Sequence, residues 1–189
     1  LTELEDLWAP FKKKKKTRGM VAIEKGLDSL ADSMLTMSDS EIEKEAEKYI
    51  KTDNEDSALN VETVQDALNG AKDILAERIS QDSANRSAIL DLYMQQGNIK
   101  TKGIVPEGQT EEEAAKTSTY QMYWDYSEPL NQIKPHRILA INRAEREGAL
   151  DVTIDVDVDS AVNLITKKNT ITNKYFAEAI EDGIVRLLS

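Results

Sequence analysis

The 189-residue sequence predicts a mainly α-helical fold, an irregular helical domain carrying a small two-stranded β-ribbon. Three observations predict it. Apolar residues recur three or four apart over long stretches, the period of a helix with one buried face. Helix start and stop residues punctuate those stretches. Two segments alone, "NIKTKGIV" and "LDVTIDVDV", alternate apolar and polar residues with the period of a strand.

From the amino terminus, Thr2 and Glu5 have capping-box spacing, so "TELEDLW" reads as a short helix ended by Pro10, with Trp8 turned inward. Thr17 is placed to cap a helix through "RGMVAIEKG" that stops at Gly26, although Gly19 should loosen its start. Leu27, Leu30 and Leu35 continue the helical spacing, and Ser38 with Glu41 forms a second capping box for "DSEIEKEAEKYI". "KTDNEDSALN" is a polar loop. Asn60 then caps the long helix "VETVQDALNGAKDILAERIS", whose Val61, Val64, Leu68, Ala71, Leu75 and Ile79 make one apolar face. Across the short "QDS" link, "ANRSAILDLYMQQ" runs to Gly97, with Ile89, Leu92 and Tyr93 suited to an antiparallel partner.

Past Gly97 the two strand candidates bracket an acidic helix near "TEEEAAKTSTYQMYW" and a helix that opens after Pro135 and closes at Gly148. Asp159 and either Thr172 or Asn173 start two final helices. The pattern divides into a helical lobe with a basic loop, residues 1–97, and a helical lobe with the ribbon, residues 98–189, which together could also form one compact unit.

With 40% hydrophobic and 31% charged residues, the chain has the composition of a globular protein and is too apolar to be wholly disordered. Its net charge of −11 repels polyphosphates at long range, so any nucleic-acid contact must be local. Zero cysteines exclude disulfides, thiolate zinc sites and cysteine nucleophiles, and one histidine excludes a His-rich metal cluster. No cofactor or metal is expected. No run of about 18 apolar residues occurs and the first residues lack a secretory plan, which leaves no membrane role and the cytoplasm as default compartment. The chain begins at Leu1 inside an amphipathic pattern and stops on "GIVRLLS" with the pattern still running, so it reads as part of something longer.

Several constellations hint at chemistry. "DVDVDSAVNLIT" begins like a calcium loop but has Ser160 where glycine should turn the chain and Thr166 where a bidentate glutamate is needed, so an acid-faced strand through Val152, Ile154, Val156 and Val158 is the better reading. His136 has no identifiable nucleophile partner, and a packing or capping role is expected of it. Arg137, Arg143 and Arg146 stand among Glu145 and Glu147 and should form ion pairs rather than a phosphate clamp. Tyr120, Tyr123, Trp124 and Tyr126 could stack bases, but buried packing is the commoner use of such residues, and Trp124 should be largely buried. No phosphate-binding glycine loop or serine elbow is present, and no enzyme activity is expected. The run Lys12, Lys13, Lys14, Lys15 and Lys16, with Arg18, reads as a nucleic-acid grip, an address signal or a solvated turn.

The stretches "DLWAPFKKKKKTRGMVAIEKGLDSLAD", "ALNGAKDILAERISQD", "YWDYSEPLNQIKPHRILAINRAEREGAL" and "FAEAIEDGIVRLLS" together resemble the bacterial Tex family of transcription accessory proteins. The resemblance covers nearly the whole chain and is most specific in the "DYSEPL" to "EREGAL" block. It implies a parent protein whose further parts include a ribonuclease-H-like domain, helix-hairpin-helix elements and an OB-fold RNA-binding domain, related in architecture to a eukaryotic elongation factor that also handles histones. This chain would be the helical amino-terminal part, without its first helices and ending before the ribonuclease-H-like domain. In that family the segment after the aromatic-proline-aromatic element, here Trp8, Pro10 and Phe11, is basic, as Lys12 to Lys16 and Arg18 are.

The expectation that follows is a non-enzymatic scaffold fragment of a nucleic-acid-binding transcription accessory protein. RNA or DNA would be held mainly by domains outside this chain. Trp8, Pro10 and Phe11 would pin the loop while the cations stay in water, a solvated turn first and an auxiliary phosphate contact second; a bacterial chain has no use for a nuclear address. The alternative is a protein-interaction module docking on the transcription machinery, RNA polymerase being the natural partner.

Overall fold

The computed structural model describes residues 15–189, so the helix expected over "TELEDLW" and the anchoring role of Trp8, Pro10 and Phe11 lie outside the described residues. In chain order the helices are α1 (Arg18–Glu24), α2 (Asp28–Met34), α3 (Asp39–Glu47), α4 (Val64–Gln81), α5 (Ser83–Gln96), α6 (Glu111–Thr117), α7 (Pro135–Arg146), α8 (Val158–Thr166) and α9 (Lys174–Leu188). The strands are β1 (Asn98–Gly103), β2 (Asp125–Pro129) and β3 (Leu150–Asp155). The fold is mainly α-helical.

The residues separate into two units, 15–81 with 168–189, and 82–167. This differs from the expected lobes 1–97 and 98–189 at both ends: α5 belongs to the second unit and α9 returns to the first. Local patterning reports which face of a helix is apolar but not which distant helix covers it.

In the first unit the start and stop signals act as the spacing requires. Thr17 caps α1, its hydroxyl accepting from Met20 N at 3.1 Å, and Gly26 ends the turn at a φ of 78°. Only glycine takes that left-handed geometry freely. Glu41 accepts from Ser38 N at 2.8 Å in the expected capping box at the start of α3. The cap of α4 differs from expectation. Asn60 closes a 3-10 turn over Ser57–Leu59 and binds Asn54, while Thr63 and Asp66 cap each other's backbone N–H, so the helix begins at Val64. Val61 is buried but lies in a bridge to Lys51.

The core of this unit forms between α4 and α9. Ala67, Leu68, Ala71, Ile74 and Leu75 on α4 are buried, as are Phe176, Ala179, Ile180 and Ile184 on α9. Asn173 caps α9 as expected, accepting from Phe176 N at 2.8 Å. Nearby, Tyr175 donates to Glu43 Oε1 at 2.6 Å, a bond that with burial pushes the phenol up to about 12.

In the second unit the sheet has three strands, in the antiparallel order β2-β1-β3, where two were expected. Thr101 on β1 stands opposite Tyr126 on β2 and Val152 on β3. β2 escaped the period-two reading because one of its inward positions is Glu128, a carboxylate made tolerable by Arg137 at 3.0 Å and by the Tyr126 hydroxyl. α7 opens on Pro135 and ends before Gly148, which has a φ of 73°. The acid-faced strand is shorter than expected: β3 stops at Asp155 and Asp157 caps α8, accepting from Ser160 N at 3.3 Å. Ile89 and Leu92 of α5 are buried within this unit, where α5 packs against α8.

Thr101 is buried and donates to Tyr123 O at 2.6 Å, tying the turn before β2 to the middle of the sheet. Thr101→Val keeps the shape and removes the donor, so it should cost about 1–2 kcal/mol in urea denaturation. A loss below about 0.3 kcal/mol would show that the Tyr123 carbonyl does not depend on this hydroxyl.

Candidate nucleic-acid interface

Of the six candidate cations, Lys12, Lys13 and Lys14 lie outside the described residues, while Lys15, Lys16 and Arg18 lead into α1 and are exposed. Their surroundings are acidic. Lys16 Nζ donates to Glu24 Oε1 at 2.7 Å, and that hydrogen bond and the charge of Glu24 hold the ammonium above the ordinary lysine range. Arg18 Nε lies 3.8 Å from Asp73 Oδ1, with a side chain 71% exposed. Asp73 is shared with Arg186, whose guanidinium donates to it at 2.7 Å and to Asp182 at 2.6 Å.

What fixes the loop at this point is a close approach of α1 to α4. Thr17 Oγ1 donates to Glu77 Oε2 at 2.8 Å. Gly19 is buried against the same carboxylate: a β-carbon there would stand 2.0 Å from Glu77 Oε2. Gly19 therefore seats the helix rather than loosening it. Between α1 and α4 runs a groove lined by Lys16, Arg18 and Lys25 on one side and Asp66, Asn69 and Asp73 on the other. A phosphate entering it would meet Lys16 and Arg18 already facing carboxylates, so those two contacts exchange one ion pair for another and gain little.

Sequence reasoning located the cations but not the acids that face them. Asp73 and Glu77 stand four apart on α4 and so share a face, a signal present in the sequence. That this face meets α1 depends on a tertiary contact that spacing does not reveal.

The other candidates are scattered through the second unit. His136 is exposed in the first turn of α7 and neither packs nor caps. Arg143 pairs with Glu147 at 3.0 Å and Arg137 with Glu128 at 3.0 Å, the intramolecular use expected of these arginines, while Arg146 Nε reaches Asn142 O at 3.4 Å. Hydrogen bonds from Tyr126 and then Arg137 hold the Glu128 carboxyl below its usual range. Tyr120, Tyr123, Trp124 and Tyr126 are all half-buried, so Trp124 is less enclosed than expected. Tyr123 and Tyr126 meet edge to face at 5.4 Å. Among the described residues no group of three or more acids and histidines could hold a metal ion, and no helix is long and apolar enough to cross a membrane.

A family model described as Tex central region-like matches residues 38–182. The chain is 36% identical over its whole length to the protein YdcI of Bacillus subtilis, covering 26% of that protein. It is 34% identical over 84% of its length to the transcriptional accessory protein Tex of Neisseria gonorrhoeae, covering 19% of it. A more distant relative, at 28% identity over 82% of the chain, is the S1 RNA-binding domain-containing protein 1 of Pongo abelii, of which 15% is covered. The chain thus spans about a quarter or less of the length of these relatives.

Proposed function

We propose, for a chain that belongs to the Tex central region-like family, that it is the non-enzymatic scaffold of a cytoplasmic transcription accessory protein. The protein would engage nucleic acid mainly through parts outside this chain. Names among the relatives, transcriptional accessory protein and S1 RNA-binding domain-containing protein, support the nucleic-acid setting. One observation carries the scaffold reading: two of the three described cations of the basic segment already face carboxylates, Lys16 with Glu24 and Arg18 with Asp73. Lys12 to Lys16 and Arg18 then contribute weak auxiliary phosphate contacts, and the two helical units hold the rest of the protein in place.

The test is salt-dependent binding of labelled RNA and DNA to the wild-type chain and to a variant with Lys12 to Lys16 changed to glutamine. Engaging about three phosphates gives a slope of log affinity against log salt near −3 on duplex DNA, at about −0.9 per phosphate. In the variant that binding should vanish while stability stays within about 0.5 kcal/mol, as for exposed side chains. Unchanged binding in the variant would clear the loop of any phosphate contact. Docking on RNA polymerase would then become the leading account of the chain.

A further inference from the structure

The second unit carries a groove that the proposed function does not use. Its lining is mixed: Ile104, Pro106 and Trp124 stand with the polar Gln109, Ser118 and Thr119, and α6 walls it through Ala114. Trp124 is fixed from beneath: its indole lies so close to Gly103 that a β-carbon there would stand 2.0 Å from the ring. Trp124 is only partly enclosed, and Ile104 and Pro106 beside it are exposed. The groove therefore presents a pinned aromatic ring with Ile104 and Pro106 beside it in an otherwise polar wall, a place where one apolar side chain can anchor.

One acid lines this groove and two more flank its lining residues in sequence. Glu147 lines it, with Tyr120 donating to its Oε2 at 2.6 Å and Arg143 to its Oε1 at 3.0 Å. Those two bonds, from Tyr120 and then Arg143, hold the carboxyl below its usual range, so it is charged at neutral pH. Glu107 follows Pro106 directly, and Glu111 precedes Ala114 by three residues on α6, which puts it on the same side of the helix. Glu107 and Glu111 are exposed and make no ion pair among the described residues. Of the nearby cations, Arg143 and Lys116 are paired with Glu147 and Glu112, while Arg146, close enough to act on Glu147, bonds Asn142 O.

We propose that this groove docks a short basic peptide segment of a partner protein, with one aliphatic or aromatic side chain seated on Trp124 and flanking lysines or arginines beside Glu107 and Glu111. The charge selects this occupant. A nucleic-acid strand that stacked a base on Trp124 would bring its phosphates among Glu107, Glu111 and Glu147, where like charges repel. A basic peptide reverses the sign of each of those terms. One apolar anchor and a few exposed ion pairs support weak binding, with a Kd of roughly 10–100 μM.

The inference is independent of the basic loop and is tested by fluorescence anisotropy at near-physiological salt. The probes are a labelled Lys/Arg-rich nonapeptide with a central leucine, the same peptide with a central glycine, and a labelled ten-nucleotide oligouridylate. The leucine peptide should bind saturably, and at least fivefold more tightly than the glycine peptide. The exposed double variant Glu107→Lys/Glu111→Lys should weaken it about tenfold, whereas Glu55→Lys/Glu62→Lys in the first unit should leave it within twofold. Trp124→Phe, which keeps a ring at the anchor, should reduce the preference for leucine without unfolding the unit. Three results would overturn the proposal: equal affinity for the two peptides, equal weakening by both charge reversals, which would mean general attraction to an acidic chain, or tighter binding of the oligouridylate than of the leucine peptide.

Discussion

Asn173→Ala should lower the stability of the first unit by about 2–4 kcal/mol in urea denaturation followed by far-ultraviolet circular dichroism. The side chain is buried and every polar atom in it is used. Its Oδ1 accepts from Phe176 N at 2.8 Å, and its Nδ2 donates to Met34 O and Met37 O, each at 2.7 Å. Losing the cap costs about 1 kcal/mol. Met37 O keeps a second donor in Thr172 Oγ1 at 2.9 Å, so the further loss falls on Met34 O, at about 1–3 kcal/mol for a buried carbonyl left without its donor. Asn173→Asp should not rescue the loss, since it keeps the cap but turns a carboxylate oxygen toward both carbonyls. A loss below about 1 kcal/mol for the alanine variant would mean that α9 is not fixed to the end of α2 through this residue.

Gly183→Val is expected to be similarly damaging, at about 3 kcal/mol. Gly183 of α9 faces α4 at close range, and a β-carbon there would stand 2.8 Å from Ala76 O and 3.0 Å from the Ile79 side chain. The backbone carbonyl cannot swing aside as a side chain could, so the helices must separate and the surrounding core must loosen. Overpacking of this kind costs typically about 1–3 kcal/mol, and the branched valine adds two methyl groups to the clash. Gly183→Ala should fall nearer the lower figure. Equal stability of the valine variant and the wild type would show that the two helices are not held at this distance.

These two positions also show what the sequence could and could not convey. Asn173 was readable as a cap because a cap is a local device, set by a side chain and the backbone three residues on. Its two bonds to Met34 and Met37, more than 130 residues away, were not readable. The same division runs through the chain. The starts at Thr17, Ser38 and Pro135 and the stops at Gly26 and Gly148 were legible. The third strand was hidden because Glu128 looks like a surface residue until Arg137 is placed beside it. Asn60 lost the cap of α4 to Thr63 and Asp66, which satisfy each other at one step from the helix. The candidate interface was legible as a run of charge and illegible as an environment, since its meaning depends on Asp73 and Glu77 of a helix some 55 residues later. The groove beside Trp124 was foreseen only as a cluster of aromatics, without the acids near it.

The same reasoning decides how the basic segment should behave. An exposed cation facing a carboxylate has little attraction to spare for a phosphate, and the chain's overall charge of −11 opposes the encounter further. Family membership places the chain beside proteins named for transcription and RNA binding, yet the chain spans only a small share of them. A scaffold with weak contacts of its own is consistent with both facts.

The most direct measurement is the Kd of the wild-type chain for a labelled 20-nucleotide RNA near 0.15 M salt. The account predicts weak, sequence-independent binding, in the range of about 10⁻⁴ to 10⁻⁶ M that phosphate contacts alone supply. A nanomolar Kd that discriminates between RNA sequences would contradict it and make this chain a nucleic-acid reader in its own right.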